Sequence, residues 1–113
     1  MMALALTQAQ CRAGAVALDP DALRARLAQL PHWQAADGAL TREYAFPDYR
    51  ATIAFVNAVA DMAEAQDHHP DMRVGYRRCT LAYATHSAGG ALTDNDFICA
   101  ARADALYAKG QAA

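Results

Sequence analysis

The prolines constrain this chain more than any other residue type, because each stands where a helix or strand has to begin or end. There are four of them, at positions 20, 31, 47 and 70. Asp19 followed by Pro20 is typical of a helix N-cap and first helical position. Pro70 forbids continuation of the helix before it and biases His69 away from helical angles. The prolines therefore divide the chain into short segments.

The hydrophobic spacing within these segments predicts three helices and four strands. The helices are expected over Pro20–Leu30, Tyr49–Asp67 and Thr93 to about Lys109, and the strands around Trp33, over Ala39–Phe46, over Met72–Tyr76 and over Arg78–His86. Asp37-Gly38 predicts a tight hairpin turn, and Asp48 is the expected N-cap of the second helix. Thr93 is the expected N-cap of the third, with Asp96 at its third helical position.

The resulting order, α-β-β-α-β-β-α, indicates a single α+β domain with a four-stranded antiparallel sheet and helices packed on one face. The length of 113 residues suits one domain. Residues 1–17 lack a clean period and are expected to form a flexible N-terminal arm, with the domain over residues 18–113. The predicted buried stripe of the second helix is Ile53, Val56, Ala60 and Ala63, widened by Phe55, Val59 and Met62.

Composition excludes several classes of protein. The formal charge of −2 and pI of about 6.0 argue against nucleic acid as the main partner, since phosphate binding normally requires a basic excess. Cys11, Cys79 and Cys99 form no CxxC pair and are read as reduced thiols of a cytoplasmic protein. The apolar start of the chain is too short to span a bilayer and lacks the basic residues of a signal peptide, so no membrane association is expected.

Three histidines stand at predicted junctions: His68 and His69 at the end of the second helix, and His86 at the end of the last strand. A helix C-terminus favours protonated imidazole, and the nearby Glu64 and Asp67 would raise the histidine pKa. The pattern predicts an acid–base site. A histidine at a helix end is, however, more often a cap or surface residue. A metal site is the other alternative, although HxxxH, HxH and CxxC spacings are absent from the sequence.

The combined motif resembles that of the pterin-4a-carbinolamine dehydratase family. It consists of Glu64-Ala-Gln-Asp-His-His-Pro70, then Tyr76, then Thr85-His86, and then Asp96. The flanking stretches Leu30–Trp33, Tyr44–Tyr49, Phe55–Ala60 and Leu92–Phe97 are also similar to the family's equivalents. The arm segment Leu6–Cys11 is similar to that of bacterial members that accompany phenylalanine hydroxylase. The loop between His86 and Asp96 is one residue longer than usual in the family; of Asp94 and Asp96, only Asp96 keeps the alignment with the helix start.

This resemblance implies a hydro-lyase that dehydrates 4a-hydroxytetrahydropterin to quinonoid dihydropterin in tetrahydrobiopterin recycling. The catalytic residues implied are His68, His69 and His86, and the substrate-binding residues add Asp67, Ala84, Thr85 and Ser87. Glu64 and Asp96 would hold imidazoles in place. The pterin is the substrate, and no metal or organic cofactor is implied.

The family also implies a homodimer or homotetramer with a functional link to phenylalanine hydroxylase. An exposed sheet face or edge makes self-association reasonable on physical grounds as well. Some relatives are dimerisation, assembly or transcriptional co-regulator proteins of the same fold, and such a non-enzymatic role is the alternative reading of this chain.

Overall fold

The computed structural model describes residues 5–85, 88, 89 and 91–112. Within these ranges the chain forms a 3₁₀ turn at Leu6–Gln8, helices α1 (Pro20–Ala28), α2 (Tyr49–Gln66) and α3 (Asp94–Ala112), and strands β1 (Gln34–Ala36), β2 (Ala39–Ala45), β3 (Asp71–Val74) and β4 (Arg78–Tyr83). The strands form one antiparallel sheet in the order β1-β2-β4-β3. The predicted α+β class and element order are confirmed.

The predicted caps form as hydrogen bonds. Asp19 accepts from the Ala22 backbone N–H at 2.8 Å, and Asp48 accepts from that of Ala51 at the same distance. The β1–β2 hairpin turns through Asp37 and Gly38, whose φ angles of 54° and 77° are the left-handed values that a tight hairpin requires. These features depend on residues within four positions of each other, so the sequence specifies them directly.

Several predicted boundaries shift by one to three residues. Helix α1 ends at Ala28 because the backbone N–H of Leu30 donates to the Leu27 carbonyl, three residues back, so the last turn tightens out of α-helical geometry. Strand β3 ends at Val74 because the Gly75 N–H pairs with the Arg78 carbonyl and the chain turns there.

One face of the sheet carries the core. The most deeply buried side chains of β2 and β4 on this face are Leu40, Tyr44, Cys79, Leu81 and Tyr83, each no more than 1% exposed. Helices α2 and α3 cover this face: the Tyr44 ring lies 4.6 Å from that of Phe55 and 4.8 Å from that of Tyr107, centroid to centroid. Burial of a large apolar side chain contributes about 1.5–3 kcal/mol, so this layer fixes α2 and α3 on the sheet.

The buried stripe of α2 differs from the prediction by a rotation of about one residue. The buried residues are Thr52, Phe55, Val59 and Ala63, of which all but Thr52 belong to the predicted stripe or its widening. Ile53, Val56 and Ala60, predicted at the centre of the stripe, are half-buried. Thr52 is the reason, because its hydroxyl donates to the Asp48 carbonyl at 2.8 Å and also lies 3.2 Å from that of Tyr76. A satisfied hydroxyl is buried at little cost, and a pattern of apolar residues does not reveal it.

Strand β3 is one of the two edge strands of the sheet. All four of its residues are exposed, although Met72 and Val74 pair with the inward residues Leu81 and Cys79 of β4. None of the helices in residues 5–85 and 91–112 combines the length and apolar character needed to cross a membrane.

The N-terminal arm lies against the domain through several contacts. Leu6 is 4% exposed and belongs to the core, and the guanidinium of Arg102 on α3 donates to the Ala9 carbonyl at 2.5 and 3.2 Å. The arm therefore contributes to packing in this structure. Its flexibility stays a prediction.

Candidate active site

The end of α2 brings two histidines to one place. Asp67 adopts a left-handed conformation (φ 51°, ψ 42°), which costs about 1 kcal/mol in a residue other than glycine but reverses the chain within one residue. The His68 backbone N–H still bonds the Ala63 carbonyl at 3.2 Å. As the sequence predicts, the helix cannot pass Pro70, and the turn at Asp67 directs His68 towards α3.

The start of α3 supplies the acidic partner through its own cap. The Thr93 hydroxyl accepts from the Asn95 N–H at 3.2 Å, and the Asp96 carboxylate accepts from the Thr93 N–H at 2.9 Å. This reciprocal arrangement is a capping box, and the positive end of the helix dipole stabilises the negative charge of the carboxylate. The same local motif that begins the helix thus fixes the position of Asp96.

Asp96 joins three elements of the fold. Its Oδ1 lies 2.7 Å from His68 Nε2, and its Oδ2 accepts from the Thr85 hydroxyl at 2.8 Å in addition to the Thr93 N–H. The Asp96 side chain is fully buried and that of His68 is 11% exposed. Where the carboxylate only accepts, Nε2 of His68 donates this bond, and Nδ1 is the nitrogen left for proton exchange. The hydrogen bond to Asp96 raises the pKa of His68, against a smaller opposing effect of burial.

A second pair lies beside the first. His69 Nε2 is 2.6 Å from Glu64 Oε2, but both side chains are open to solvent, at 53% and 78% exposure. The two carboxylates expected to hold imidazoles are therefore each within hydrogen-bonding distance of a histidine. Only the Asp96 pair is shielded from water.

A cavity of about 470 Å³ opens over these histidines. Among the other residues predicted to bind substrate, Asp67, Ala84 and Thr85 also line it. His86 and Ser87, the remaining predicted site residues, lie outside the described residues. A volume of this size is in the range of small-molecule sites, and the wall combines imidazole, carboxylate and backbone groups.

The arm forms a wall of this cavity that the sequence did not reveal. Cys11 and Arg12 both line it. The Arg12 backbone pairs with the amide of Asn95, donating to Oδ1 at 3.1 Å and accepting from Nδ2 at 2.8 Å, and the Cys11 N–H donates to Gln66 Oε1 at 2.8 Å. These contacts join residues more than 50 positions apart, so no local pattern in the arm predicts them.

Tyr83 also contacts the site, through the ring of His68. Its ring is stacked on His68, with centroids 5.9 Å apart and planes 7° from parallel. The alternation Cys79, Leu81, Tyr83 predicts an inward-facing side chain, so a signal for its burial was present in the sequence. Its contact with His68 required the tertiary structure.

Asp94 lies outside the lining of this cavity, and Asp96 is the aspartate that reaches His68. The Asp94 carboxylate pairs with the Arg26 guanidinium at 2.6 Å, whereas Asp96 bonds His68. In the ranges that the structure describes, no group of three or more His, Cys, Asp or Glu side chains is arranged to hold a metal ion.

The fold and site define a small α+β protein with a histidine–carboxylate pocket at the junction of its second helix, last strand and third helix. Comparison with protein families matches residues 16–106 to the model described as pterin 4 alpha carbinolamine dehydratase. The chain belongs to this family.

Relatives and solved structures agree with that assignment. A protein of Nitrosomonas eutropha named "Putative pterin-4-alpha-carbinolamine dehydratase" is 47% identical over 97 residues, covering 85% of each chain. One of the same name from Xanthomonas oryzae pv. oryzae is 52% identical over 86 residues, covering 74% of this chain and 72% of its own.

Among crystal structures, the transcriptional coactivator/pterin dehydratase of Brucella melitensis superposes with a TM-score of 0.75 at 33% identity, over 80% of this chain and 97% of its own. A second solved structure, a pterin dehydratase-like protein identified as a RuBisCO assembly factor in the alpha-carboxysome, gives a TM-score of 0.56 at 28% identity. It covers 66% of this chain and 84% of its own.

Proposed function

We propose that this protein dehydrates 4a-hydroxytetrahydropterin to quinonoid dihydropterin and water by histidine general acid–base catalysis. The observation that carries the proposal is the buried His68–Asp96 hydrogen bond at the wall of a cavity sized for a small molecule. Family membership supports the pterin as substrate class.

The reaction needs one proton delivered and one removed. The C4a–O bond breaks more easily when the hydroxyl leaves as water, and the electron pair of the N5–H bond forms the new double bond as N5 loses its proton. His68 is suited to the acid role, because its raised pKa increases the protonated fraction near neutral pH. Asp96 would hold the Nε2 side of the ring, so that Nδ1 faces the reacting groups.

The other residues would bind and orient the pterin. In the proposal, His86 supplies the complementary base and His69 positions the ring system, with Glu64 limiting the rotation of His69. Asp67, Ala84, Thr85 and Ser87 would complete the pocket. The proposed chemistry requires no metal or organic cofactor, since the pterin itself is the substrate.

We further propose a cytoplasmic homo-oligomer that works beside phenylalanine hydroxylase in tetrahydrobiopterin recycling. The exposed edge strand β3, with Met72 36% and Val74 42% exposed, supports self-association, because an unpaired apolar strand edge is a usual site of pairing. Light scattering coupled to size exclusion separates dimer, tetramer and monomer.

The test is stopped-flow absorbance of 4a-hydroxytetrahydropterin decay, with the pterin generated in situ by a phenylalanine hydroxylase. Wild-type protein should accelerate the decay. His68→Ala and His86→Ala should each lose about a hundredfold or more, the usual contribution of a general acid or base. His32→Ala is a matched control, because His32 is an exposed histidine outside the cavity lining.

Equal decay with and without folded wild-type protein would reject the dehydratase activity for that pterin. The same result with pterins carrying other side chains would favour the non-enzymatic alternative. That alternative has a precedent in the neighbour identified as a RuBisCO assembly factor.

A further inference from the structure

Two of the three cysteines meet where the arm crosses α3. Cys11 Sγ and Cys99 Sγ are 3.5 Å apart, although the residues are 88 positions apart in the chain. Cys99 is fully buried on α3, and Cys11 is half-buried in the arm and lines the cavity beside His68. Both are free thiols in this structure. Neither thiol has a part in the proposed dehydration.

We propose that hydrogen peroxide oxidises Cys11 and Cys99 to a reversible disulfide. This disulfide changes the shape of the pocket because it moves the arm. Cys11 would be the site of attack, because it faces a cavity that a small peroxide can enter, and Cys99 the buried thiol that resolves the product. This division of roles follows from access and contact distance.

The chemistry balances with hydrogen peroxide as the oxidant. The Cys11 thiolate attacks one peroxide oxygen; an S–O bond forms, the O–O bond breaks, and the released hydroxide takes up a proton to become water. The Cys99 sulfur then attacks the Cys11 sulfenic acid. An S–S bond forms, the S–O bond breaks, and the hydroxide leaves as water with the proton of the Cys99 thiol. The two thiols lose two electrons and the peroxide gains them.

The electrostatic surroundings agree with these roles. The hydrogen bond from Cys99 lowers the pKa of Cys11 and exceeds the opposing effect of burial, and His68 and Arg102 act in the lowering direction too. The bond to Cys11, together with burial, raises the pKa of Cys99. Thiolate is the nucleophilic form, so attack on peroxide is favoured at Cys11. When protonated, Cys11 can instead donate to the Asn95 carbonyl, 3.6 Å from its sulfur.

Bond formation would move the arm. A disulfide is about 2.05 Å long, so the two sulfurs have to approach by about 1.5 Å. Cys99 sits in the packed core on α3, whereas Cys11 lies in the arm, which hydrogen bonds hold from Cys11 to Gln66, from Arg12 to Asn95 and from Arg102 to Ala9. Cys11 therefore makes most of the movement, and the wall of the cavity next to His68 moves with it.

The first experiment is oxidation of the full chain with stoichiometric hydrogen peroxide, followed by alkylation, intact mass measurement and peptide mapping. The expected product has lost two hydrogen atoms, contains a Cys11–Cys99 peptide, keeps Cys79 alkylated, and reverts with dithiothreitol. Cys79→Ala should give the same linkage, because Cys79 lies on β4 and serves as the matched control thiol. Cys99→Ala should leave a Cys11 sulfenic acid that dimedone traps, and Cys11→Ser should leave Cys99 reduced.

Absence of the Cys11–Cys99 peptide in wild-type protein, or linkage of either residue to Cys79 or to a second chain, would overturn the proposal. This readout needs no enzymatic activity, so it succeeds or fails independently of the proposed dehydratase function.

The effect on the pocket rests on that function and is measured separately, by calorimetric titration with 7,8-dihydrobiopterin. Reduced and oxidised protein should differ in Kd by about fivefold or more, the lower end of typical couplings between sites. Cys11→Ser treated with peroxide should show no such change. An unchanged Kd in disulfide-bonded wild type would reject the coupling, and absence of binding to reduced protein would count against the proposed function instead.

Discussion

The adjacent histidines His68 and His69 each pair with a carboxylate, and the two pairs differ in burial rather than in the distance between nitrogen and oxygen. His68–Asp96 spans 2.7 Å and His69–Glu64 spans 2.6 Å. In the first pair, His68 and Asp96 are 11% and 0% exposed and come from the end of α2 and the start of α3. The Asp96 carboxylate also accepts hydrogen bonds from Thr85 and Thr93. The second is a local pair, five residues apart, with both side chains in solvent. Equal geometry therefore does not imply equal energy, because water screens only the second pair.

The largest expected difference between the pairs is in stability. Asp96→Asn should lower the free energy of unfolding by about 2–4 kcal/mol, because it removes the charge from a buried, fully hydrogen-bonded network. Glu64→Gln should change it by less than about 0.5 kcal/mol. Urea denaturation followed by circular dichroism measures both. Similar losses in the two variants would mean that burial does not separate the pairs.

The same two variants should also differ in the kinetics of dehydration. Asp96→Asn is expected to lower kcat by about tenfold or more, since a poorly oriented imidazole loses part of the 10²–10⁴-fold of general acid–base catalysis. Glu64→Gln should act mainly on KM, because His69 is proposed to position the pterin. Stopped-flow assays on protein verified as folded provide the values. A loss of kcat in Glu64→Gln as large as that in Asp96→Asn would assign the exposed pair to the chemical step.

A smaller effect is expected when only one partner of the buried carboxylate is removed. Thr85→Val deletes the hydroxyl that donates to Asp96 Oδ2 and should cost about 1–2 kcal/mol. Thr80→Val, on the open face of β4, should stay within about 0.5 kcal/mol. Thermal and urea unfolding compare the two. A neutral Thr85→Val would show that Thr93 alone is sufficient to hold the carboxylate.

The smallest effect is a pH dependence of stability from His68. Its folded pKa is raised above the unfolded value of about 6.5, so the folded state binds the proton more tightly. The stabilisation is fully present below about pH 6.5 and is lost as pH rises through the folded pKa, with a slope below about 1.4 kcal/mol per pH unit. Unfolding free energies measured between pH 5.5 and 8.5 should show this decline in wild type and Glu64→Gln. A decline that persists in Asp96→Asn would trace it to a different group.

Much of the fold was accessible from the sequence because its signals are local. Asp19, Asp48 and the Asp37-Gly38 turn act within four residues, and the structure confirms each of them. The centre of the α2 stripe was placed about one residue out of register, although Phe55, Val59 and Ala63 were predicted, since the buried Thr52 hydroxyl is satisfied by backbone groups that no apolar pattern indicates.

The contacts of the candidate site also differ in how far the sequence predicted them. The spacing within the helix placed Glu64 one turn before His68, whereas the structure pairs Glu64 with His69, because the helix ends at Gln66 and the chain turns at Asp67. The family resemblance implied that Asp96 holds an imidazole, and the structure shows that this imidazole is His68, 28 positions away. The contribution of Cys11, Arg12 and Asn95 to the cavity was not expected at all, since the arm shows no periodic pattern.

By itself, the sequence determined to within one to three residues where the helices and turns begin and end, that His68 and His69 follow a forced helix stop, and that Asp96 belongs to a capping box. Each of these depends on hydrogen bonds and steric limits between near neighbours. Only the tertiary structure decided that the histidine bound by Asp96 is His68, that the arm forms a wall of the cavity, and that Cys11 lies against Cys99. Those outcomes depend on how the packed helices and sheet exclude water from some side chains and leave others exposed, and burial of that kind is a property of the whole fold.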